Sequence, residues 1–140
     1  MQRFLRASVV LAIAVLVMLA GLMLGTNTAT AASTTSQLSI EDQAQFINPL
    51  FINVQVDVKC SGGTGTVTVS VTQTAAQSSN GVGDSGTGVG KVNCNGNEQK
   101  LAVTVPGSGG LWNLGSATAQ ASLTAPSGPA FDEKTINIVL

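Results

Sequence analysis

The segment GVGDSGTGVG, residues 81–90, combines residue types that could do two kinds of chemistry. Gly81, Gly83 and Gly86 have the G-x-G-x-x-G spacing of a phosphate-binding loop, and Ser85 lies in a Gly-Asp-Ser-Gly sequence that could present a nucleophile. A phosphate-binding loop of this type leads into a helix whose N-terminus faces the phosphates. The sequence that follows here, TGVGKVNC, contains more glycine and then a strand pattern. We therefore expect no nucleotide at this segment.

A serine becomes a nucleophile only when a base removes its proton. The chain contains no His, so the base for Ser85 would have to be a lysine, either Lys91 or Lys59. Nothing in the sequence around these lysines indicates that they are desolvated. We interpret residues 74–90 as a glycine-rich connection between two strands, in which Asp84 contributes turn chemistry.

Carboxylates and amides suggest two further sites that we regard as weak. The turn NCNGNE, residues 93–98, is rich in oxygen ligands, but it has one carboxylate, Glu98, where a calcium loop usually has several. Two pairs of neighbouring carboxylates, Glu41–Asp42 and Asp132–Glu133, are of the type that hydrolyses glycosides. Both pairs are predicted to lie in polar turns, where solvation is their plain role. No metal or other cofactor is expected.

Trp112 is the only tryptophan in the chain, which has no tyrosine. An exposed Trp112 could stack on a sugar ring, which makes a small-ligand or glycan-binding module centred on this residue the alternative function. The competing interpretation is that Leu111, Trp112 and Leu114 close one end of the hydrophobic core. A single aromatic residue is more often part of a core.

The two cysteines, Cys60 and Cys94, are predicted to form a disulfide. Exported proteins with an even number of cysteines usually pair them. A structural zinc site is the other use of two thiolates, but such a site needs four ligands and this chain has no His. The sequence thus favours one disulfide in an oxidising compartment.

The first 31 residues have the organisation of a secretory signal peptide. Arg3 and Arg6 precede an apolar run, residues 7–24, and Ala29-Thr30-Ala31 supplies the cleavage signal, so cleavage is expected between Ala31 and Ala32. The apolar run is also near the length that spans a bilayer. The alternative is therefore an uncleaved segment that anchors the protein to the plasma membrane.

Alternation of apolar and polar residues predicts strands over much of the remaining chain. The clearest segments are FINVQVDVKC (51–60), TGTVTVSVTQ (64–73), GSATAQASLT (115–124) and EKTINIVL (133–140), the last with Ile136, Ile138 and Leu140 facing inward. Asn95-Gly96 is the preferred pair for a two-residue type I′ hairpin turn, which would join a strand ending at Cys94 to a strand at residues 101–105. QLSIEDQAQF, residues 37–46, could add an edge strand.

These segments predict an all-β domain. We expect a two-sheet immunoglobulin-like sandwich of six or seven strands over residues 37–140, after a short disordered tether at residues 32–36. An N-terminal hydrophobic signal helix would precede it.

The order of these motifs resembles a known kind of protein. Cys60 is followed by a glycine-rich turn, TVTVSV (66–71), a second glycine-rich segment, VNCNG (92–96), and then Trp112, Gly115, Ala117, Ala119, Ala121 and Leu123 at regular spacing. Over about residues 50–125 this pattern is similar to the small secreted immunoglobulin-like proteins of actinobacterial type, many of which carry only a domain-of-unknown-function label. The resemblance implies secretion, a β-sandwich and one disulfide. It implies no activity.

Composition narrows the class of partner. Beyond Ala31 the chain keeps four Lys and seven acidic residues, and nucleic acid binding needs clustered cations. We expect no nucleic acid partner, and membrane contact only through an uncleaved signal segment. The sequence thus favours an exported, non-enzymatic module for structure, adhesion or interaction, with an extracellular protein or a glycan as its unknown partner.

Overall fold

The computed structural model of the protein describes residues 35–140. The predicted signal peptide, its cleavage between Ala31 and Ala32, and residues 32–34 of the tether lie outside the described residues. Ser36, which the sequence assigned to the tether, is buried, and its hydroxyl oxygen lies 2.7 Å from that of Ser127.

The described residues form five β-strands and no helix, which confirms the all-β class. The strands are β1 (Gln37–Asn48), β2 (Phe51–Gln73), β3 (Asp84–Pro106), β4 (Gly115–Thr124) and β5 (Ala130–Val139). The count falls below the predicted six or seven because β2 and β3 each combine two of the expected strands. No helix long and apolar enough to cross a membrane occurs in residues 35–140.

The predicted alternation is observed in the strands that carry apolar side chains. In β2 the residues Val54, Val56, Val67 and Val69 are almost fully buried, while the residues between them are more exposed. In β5 the inward positions 136 and 138 are buried as expected. Leu140 is 87% exposed, because β5 ends at Val139 and the last residue lies outside the sheet.

The strand pairing differs from two separate sheets. The first half of β2 pairs antiparallel with β1, and the second half pairs antiparallel with β4. β5 then pairs antiparallel with β4 and parallel with β1, so β1, β5, β4 and β2 form a closed ring. β3 pairs antiparallel with β2 along both halves and lies outside this ring. The ring closes because β2 is long enough to border β1 at one end and β4 at the other.

Strands β2 and β3 are irregular at the same level, near the middle of each. Their register shifts between Lys59 and Gly63. Gly62 has φ +94° and Gly96 has φ +84°, conformations that favour glycine. The predicted type I′ turn at Asn95-Gly96 is wrong: such a turn requires positive φ at both residues, and only Gly96 has it. The pair instead forms a bulge, because β3 continues along β2 on both sides of it.

The disulfide lies at this irregularity. Cys60 and Cys94 are bonded, with their Cα atoms 4.7 Å apart, and both are buried. The prediction of this pairing is confirmed. The bond fixes the two long strands to one another where the backbone pairing is interrupted.

Candidate functional site

The Gly-Asp-Ser-Gly segment lies at the start of a strand. Asp84 pairs with Gln73 and Ser85 pairs with Thr72, and the pairing with β2 continues through Gly90. The prediction that residues 74–90 form a connection is therefore wrong from Asp84 onward. The actual connection is residues 74–83, and a strand follows the glycines where a phosphate-binding loop would need a helix.

Asp84 is a buried carboxylate with a structural arrangement of hydrogen bonds. Its Oδ1 accepts the backbone N–H groups of Ser85, Gly109 and Gly110 at 2.8, 3.2 and 3.0 Å. Its Oδ2 has no hydrogen-bond partner, and neither has Trp112 Nε1. Both atoms border Gly107, since a Cβ placed there would lie 1.9 Å from Oδ2 and 3.3 Å from Nε1. The carboxylate thus holds the loop at residues 107–112 against the start of β3.

Ser85 is exposed, and its surroundings do not make it a nucleophile. Its Oγ lies 3.4 Å from Ser108 Oγ, and its carbonyl oxygen accepts the Ser108 backbone N–H. Lys91 is six residues further along the same strand, which is about 20 Å. Lys59 pairs with Glu98 beyond the bulge, in the other half of β2. Neither lysine is therefore placed to take a proton from Ser85.

The different roles of Asp84 and Ser85 predict different changes in stability when each is replaced by alanine. Asp84→Ala should reduce the free energy of unfolding by about 2–3 kcal/mol, because three backbone N–H groups lose a charged acceptor. Ser85→Ala should change it by no more than about 0.5 kcal/mol, because the hydroxyl is exposed and weakly bonded. Urea unfolding followed by tryptophan fluorescence would measure both. Equal stability of the two variants would contradict the structural role of Asp84.

Trp112 lies in the hydrophobic core, as the second of the two interpretations of the sequence predicted. Its side chain is 0% exposed, and its backbone N–H donates to the Pro49 carbonyl at 2.8 Å. The next residue, Asn113, is held by the buried side chain of Gln73. The Trp112 ring therefore offers no surface for stacking on a sugar. Leu111, which was expected to share the core position, is 49% exposed instead.

The oxygen-rich turn at residues 93–98 is engaged within the protein. Asn95 Oδ1 accepts the Asn97 backbone N–H and the Gln99 side-chain amide, at 3.0 and 3.1 Å. The Asn93 carbonyl oxygen accepts the same Gln99 amide at 2.6 Å. In the part of the chain that the structure describes, no group of three or more Cys, Asp or Glu side chains could hold a metal ion.

The two carboxylate pairs lie in strands β1 and β5, so their predicted placement in polar turns is wrong. Glu41 bonds to Lys100, and Asp42 lies 3.0 Å from Lys134. The pKa of Lys100 is raised above its ordinary value, chiefly by the hydrogen bond with Glu41. Glu41, Asp42 and Asp57 line one open surface pocket together with Lys134, and each of the three carboxylates is paired with a lysine.

The most distinctive surface is one end of the domain, which we call the loop end. It comprises residues 47–51, 80–83 and 107–112. Backbone bonds hold the first and third segments together, from Gly107 N to the Leu50 carbonyl and from Trp112 N to the Pro49 carbonyl, at 2.9 and 2.8 Å. The second segment lies beside them, because Gly83 and Gly110 are in close contact.

The loop end is apolar and uncharged. Its exposed large hydrophobic residues are Ile47 (47%), Leu50 (54%), Phe51 (39%), Val82 (52%) and Leu111 (49%). None of its three segments contains a charged residue, and the adjacent Asp84 is buried. The sequence pattern did not predict this surface, although Pro49-Leu50-Phe51 and the uncharged stretch from residue 101 to residue 131 are signals that point to it.

Comparisons with known proteins include a likeness to a solved structure. A scan against family models and a search of curated proteins found no match. A solved structure of a bacterial adhesin from Mobiluncus mulieris, containing intramolecular disulfide, isopeptide and ester bond cross-links, aligns with 76% of this chain at 8% identity and a TM-score of 0.44. This chain spans 58% of that structure.

Proposed function

We propose that the protein is an exported, non-enzymatic interaction module that binds its partner through the loop end. The observation that carries this proposal is the concentration of exposed apolar side chains there. Eight large hydrophobic residues are exposed in the described part of the chain, and five of them belong to the loop end. Single exposed apolar residues are ordinary on protein surfaces, whereas a contiguous group is typical of interaction sites.

The distribution of charge supports a partner with an apolar surface. The charged side chains nearest along the chain to the Leu50 turn are Asp42 and Asp57, each several residues away. Interface centres are depleted in charged residues and enriched in aromatic ones. A protein surface of similar apolar character is therefore the partner class that we favour, in an adhesion or interaction role.

Export rests on the disulfide and on the N-terminal sequence. Disulfides persist in oxidising compartments outside the cytosol, and Cys60 and Cys94 are bonded. Secretion with cleavage after Ala31 is the proposed route, and a retained anchor at residues 7–24 remains the alternative within the same proposal. Either form would present the domain outside the cytoplasm.

Two other functions receive less support. An enzymatic role would need a base near Ser85 or carboxylates that are free to act on a substrate. Neither Lys59 nor Lys91 is placed near Ser85, and the carboxylates that share one surface pocket, Glu41, Asp42 and Asp57, are each paired with a lysine. The glycan-binding alternative depended on an exposed Trp112, and the burial of that ring removes its support. The small-ligand alternative loses its centre for the same reason.

The proposal predicts that binding to the cell envelope depends on the loop end. We would label the exported protein with a fluorophore and measure its binding to intact envelopes of the producing cells. The double variant Leu50→Ser, Leu111→Ser should bind at least tenfold more weakly. Phe131→Ser is the matched control, because Phe131 is 64% exposed but lies outside the loop end.

A photo-crosslinking residue at position 111 should give a discrete crosslinked product, and the same residue at position 131 should not. Unsaturable binding by the wild-type protein, or equal binding by the double variant, would refute the proposal. Thermal unfolding of both variants would verify that they remain folded.

A further inference from the structure

A second surface, on β3, is suited to pairing with another strand. Among the described residues β3 has β2 as its strand partner along one edge, and the closed ring of the other four strands leaves its second edge outside. The unpaired backbone groups of such an edge are a template for a further strand.

Two hydrogen bonds identify which residues face this free edge. The Ser85 carbonyl accepts the backbone N–H of Ser108, and the Asn93 carbonyl accepts the side-chain amide of Gln99. Neither donor belongs to β2, so the backbone groups of Ser85 and Asn93 point away from β2. Because successive residues of a strand alternate in direction, Thr87, Val89 and Lys91 point to the same edge. We call residues 87–91 the edge window.

The edge window lacks the features that usually prevent strands from pairing. It contains no proline and no bulge, its one charge is Lys91 at its end, and Val89 is 63% exposed. The other half of β3 carries Glu98, Lys100 and Pro106, which are the charges and proline that discourage such contacts. This difference in charge and proline content between the two halves of β3 indicates that the edge window is the part suited to pairing.

The window is also held firmly in place. The inward positions of the window, Gly88 and Gly90, are glycines, as is Gly86 just before it. A Cβ atom at Gly86 would fall 1.9 Å from the Pro106 carbonyl oxygen, and one at Gly88 would fall 2.2 Å from the Thr104 carbonyl oxygen. The first half of β3 therefore rests directly on the second half. A strand fixed in this way needs little ordering before it can pair.

We propose that the edge window pairs antiparallel with the edge window of a second copy of this chain. Pairing centred on Val89 places Val89 opposite Val89 of the second copy and Thr87 opposite Lys91 of the second copy. The backbone groups that point to the free edge then form hydrogen-bonded pairs. The two Val89 side chains, which are β-branched, lie opposite each other, and no two like charges are opposed. The short window predicts a weak dimer that forms with rising concentration.

The test is the mass of the exported protein by analytical ultracentrifugation, at concentrations up to about 1 mM, where weak dimers become populated. The weight-average mass should rise toward twice that of the monomer. Val89→Lys should keep it at the monomer value, because two ammonium groups would lie directly opposite each other. Val89→Thr, which keeps a β-branched side chain, should dimerise like the wild type.

Cross-linking provides a second measurement. Hydrogen-bonded antiparallel pairs have Cα atoms about 5.5 Å apart, within the range that a disulfide spans. Val89→Cys should therefore yield covalent dimers under mild oxidation, whereas Ser122→Cys, an exposed position on β4, should not.

Three outcomes would overturn the inference: a monomer at every concentration, a dimer that Val89→Lys leaves intact, or a dimer that only the Leu50→Ser, Leu111→Ser variant abolishes. The last result would assign self-association to the loop end. The proposed binding to the cell envelope is tested separately, by the binding assay with labelled protein. Circular dichroism of each variant would establish that the fold is retained.

Discussion

Gly86→Ala is expected to lower the free energy of unfolding by about 3 kcal/mol, one of the two largest effects that we predict. The new Cβ would lie 1.9 Å from the Pro106 carbonyl oxygen and 3.2 Å from the Trp112 ring. The first obstacle is backbone, which cannot rotate away as a side chain can, so the two halves of β3 must separate. Overpacking of this kind usually costs about 1–3 kcal/mol, and sometimes more. The midpoint of thermal unfolding should fall by about 10 °C or more.

Gly109→Ala is the matched control, because nothing lies within 4 Å of a Cβ at that position and its φ is not positive. It should unfold within a few degrees of the wild type. Gly88→Ala should behave like Gly86→Ala, since its Cβ would lie 2.2 Å from the Thr104 carbonyl oxygen. If alanine at position 86 proved as harmless as alanine at position 109, the close packing of the two halves of β3 would be wrong.

These glycines explain why the sequence predicted a connection at residues 84–90, where the structure has a strand. Alternation predicts a strand when its inward positions carry apolar side chains, as Val67, Val69 and Val71 do in β2. In β3 the inward positions at Gly86 and Gly88 carry none, because facing backbone occupies the space. A strand whose inner face is glycine gives the same sequence signal as a flexible connection.

A related cause explains why β2 and β3 each combine two of the strands that the sequence predicted. Gly62-Gly63 and Asn95-Gly96 are residue pairs that reverse a chain in hairpins, so they predict strand boundaries. The same backbone freedom also permits a bulge, in which the strand continues with an extra residue. The choice between turn and bulge depends on whether a partner strand continues past the point, and β2 and β3 supply that continuation to each other. Local sequence does not contain this information.

The loop end was missed for a different reason. Leu50 and Leu111 are 61 positions apart, and each looks like an ordinary apolar residue in a loop. Only the backbone bonds between the Leu50 turn and residues 107–112 bring them to one surface. The disulfide was predictable, in contrast, because a chain with two cysteines leaves no choice of partner.

Replacing both Cys60 and Cys94 with alanine is expected to destabilise the protein by about 4 kcal/mol. The bond closes a loop with a sequence separation of 34 residues, and the loss of loop-closure entropy in the unfolded chain accounts for a stabilisation of that size. Both sulfurs also fill core space, and Cys94 Sγ would lie 2.9 Å from a Cβ at Gly65. The variant therefore loses packing in addition to the cross-link.

The position of the bond predicts where the protein opens first. Without it, β2 and β3 are joined at the bulge only by interrupted pairing, so backbone amides at residues 60–65 and 92–98 should lose hydrogen-exchange protection before those of β4. Urea unfolding should also give a larger dependence of free energy on denaturant concentration, because the unfolded chain without the cross-link exposes more surface. Wild-type protein reduced and alkylated under denaturing conditions, then refolded, should reproduce that larger dependence. A double variant within 1 kcal/mol of the wild type, with unchanged exchange at the bulge, would mean that strand pairing alone holds this region together.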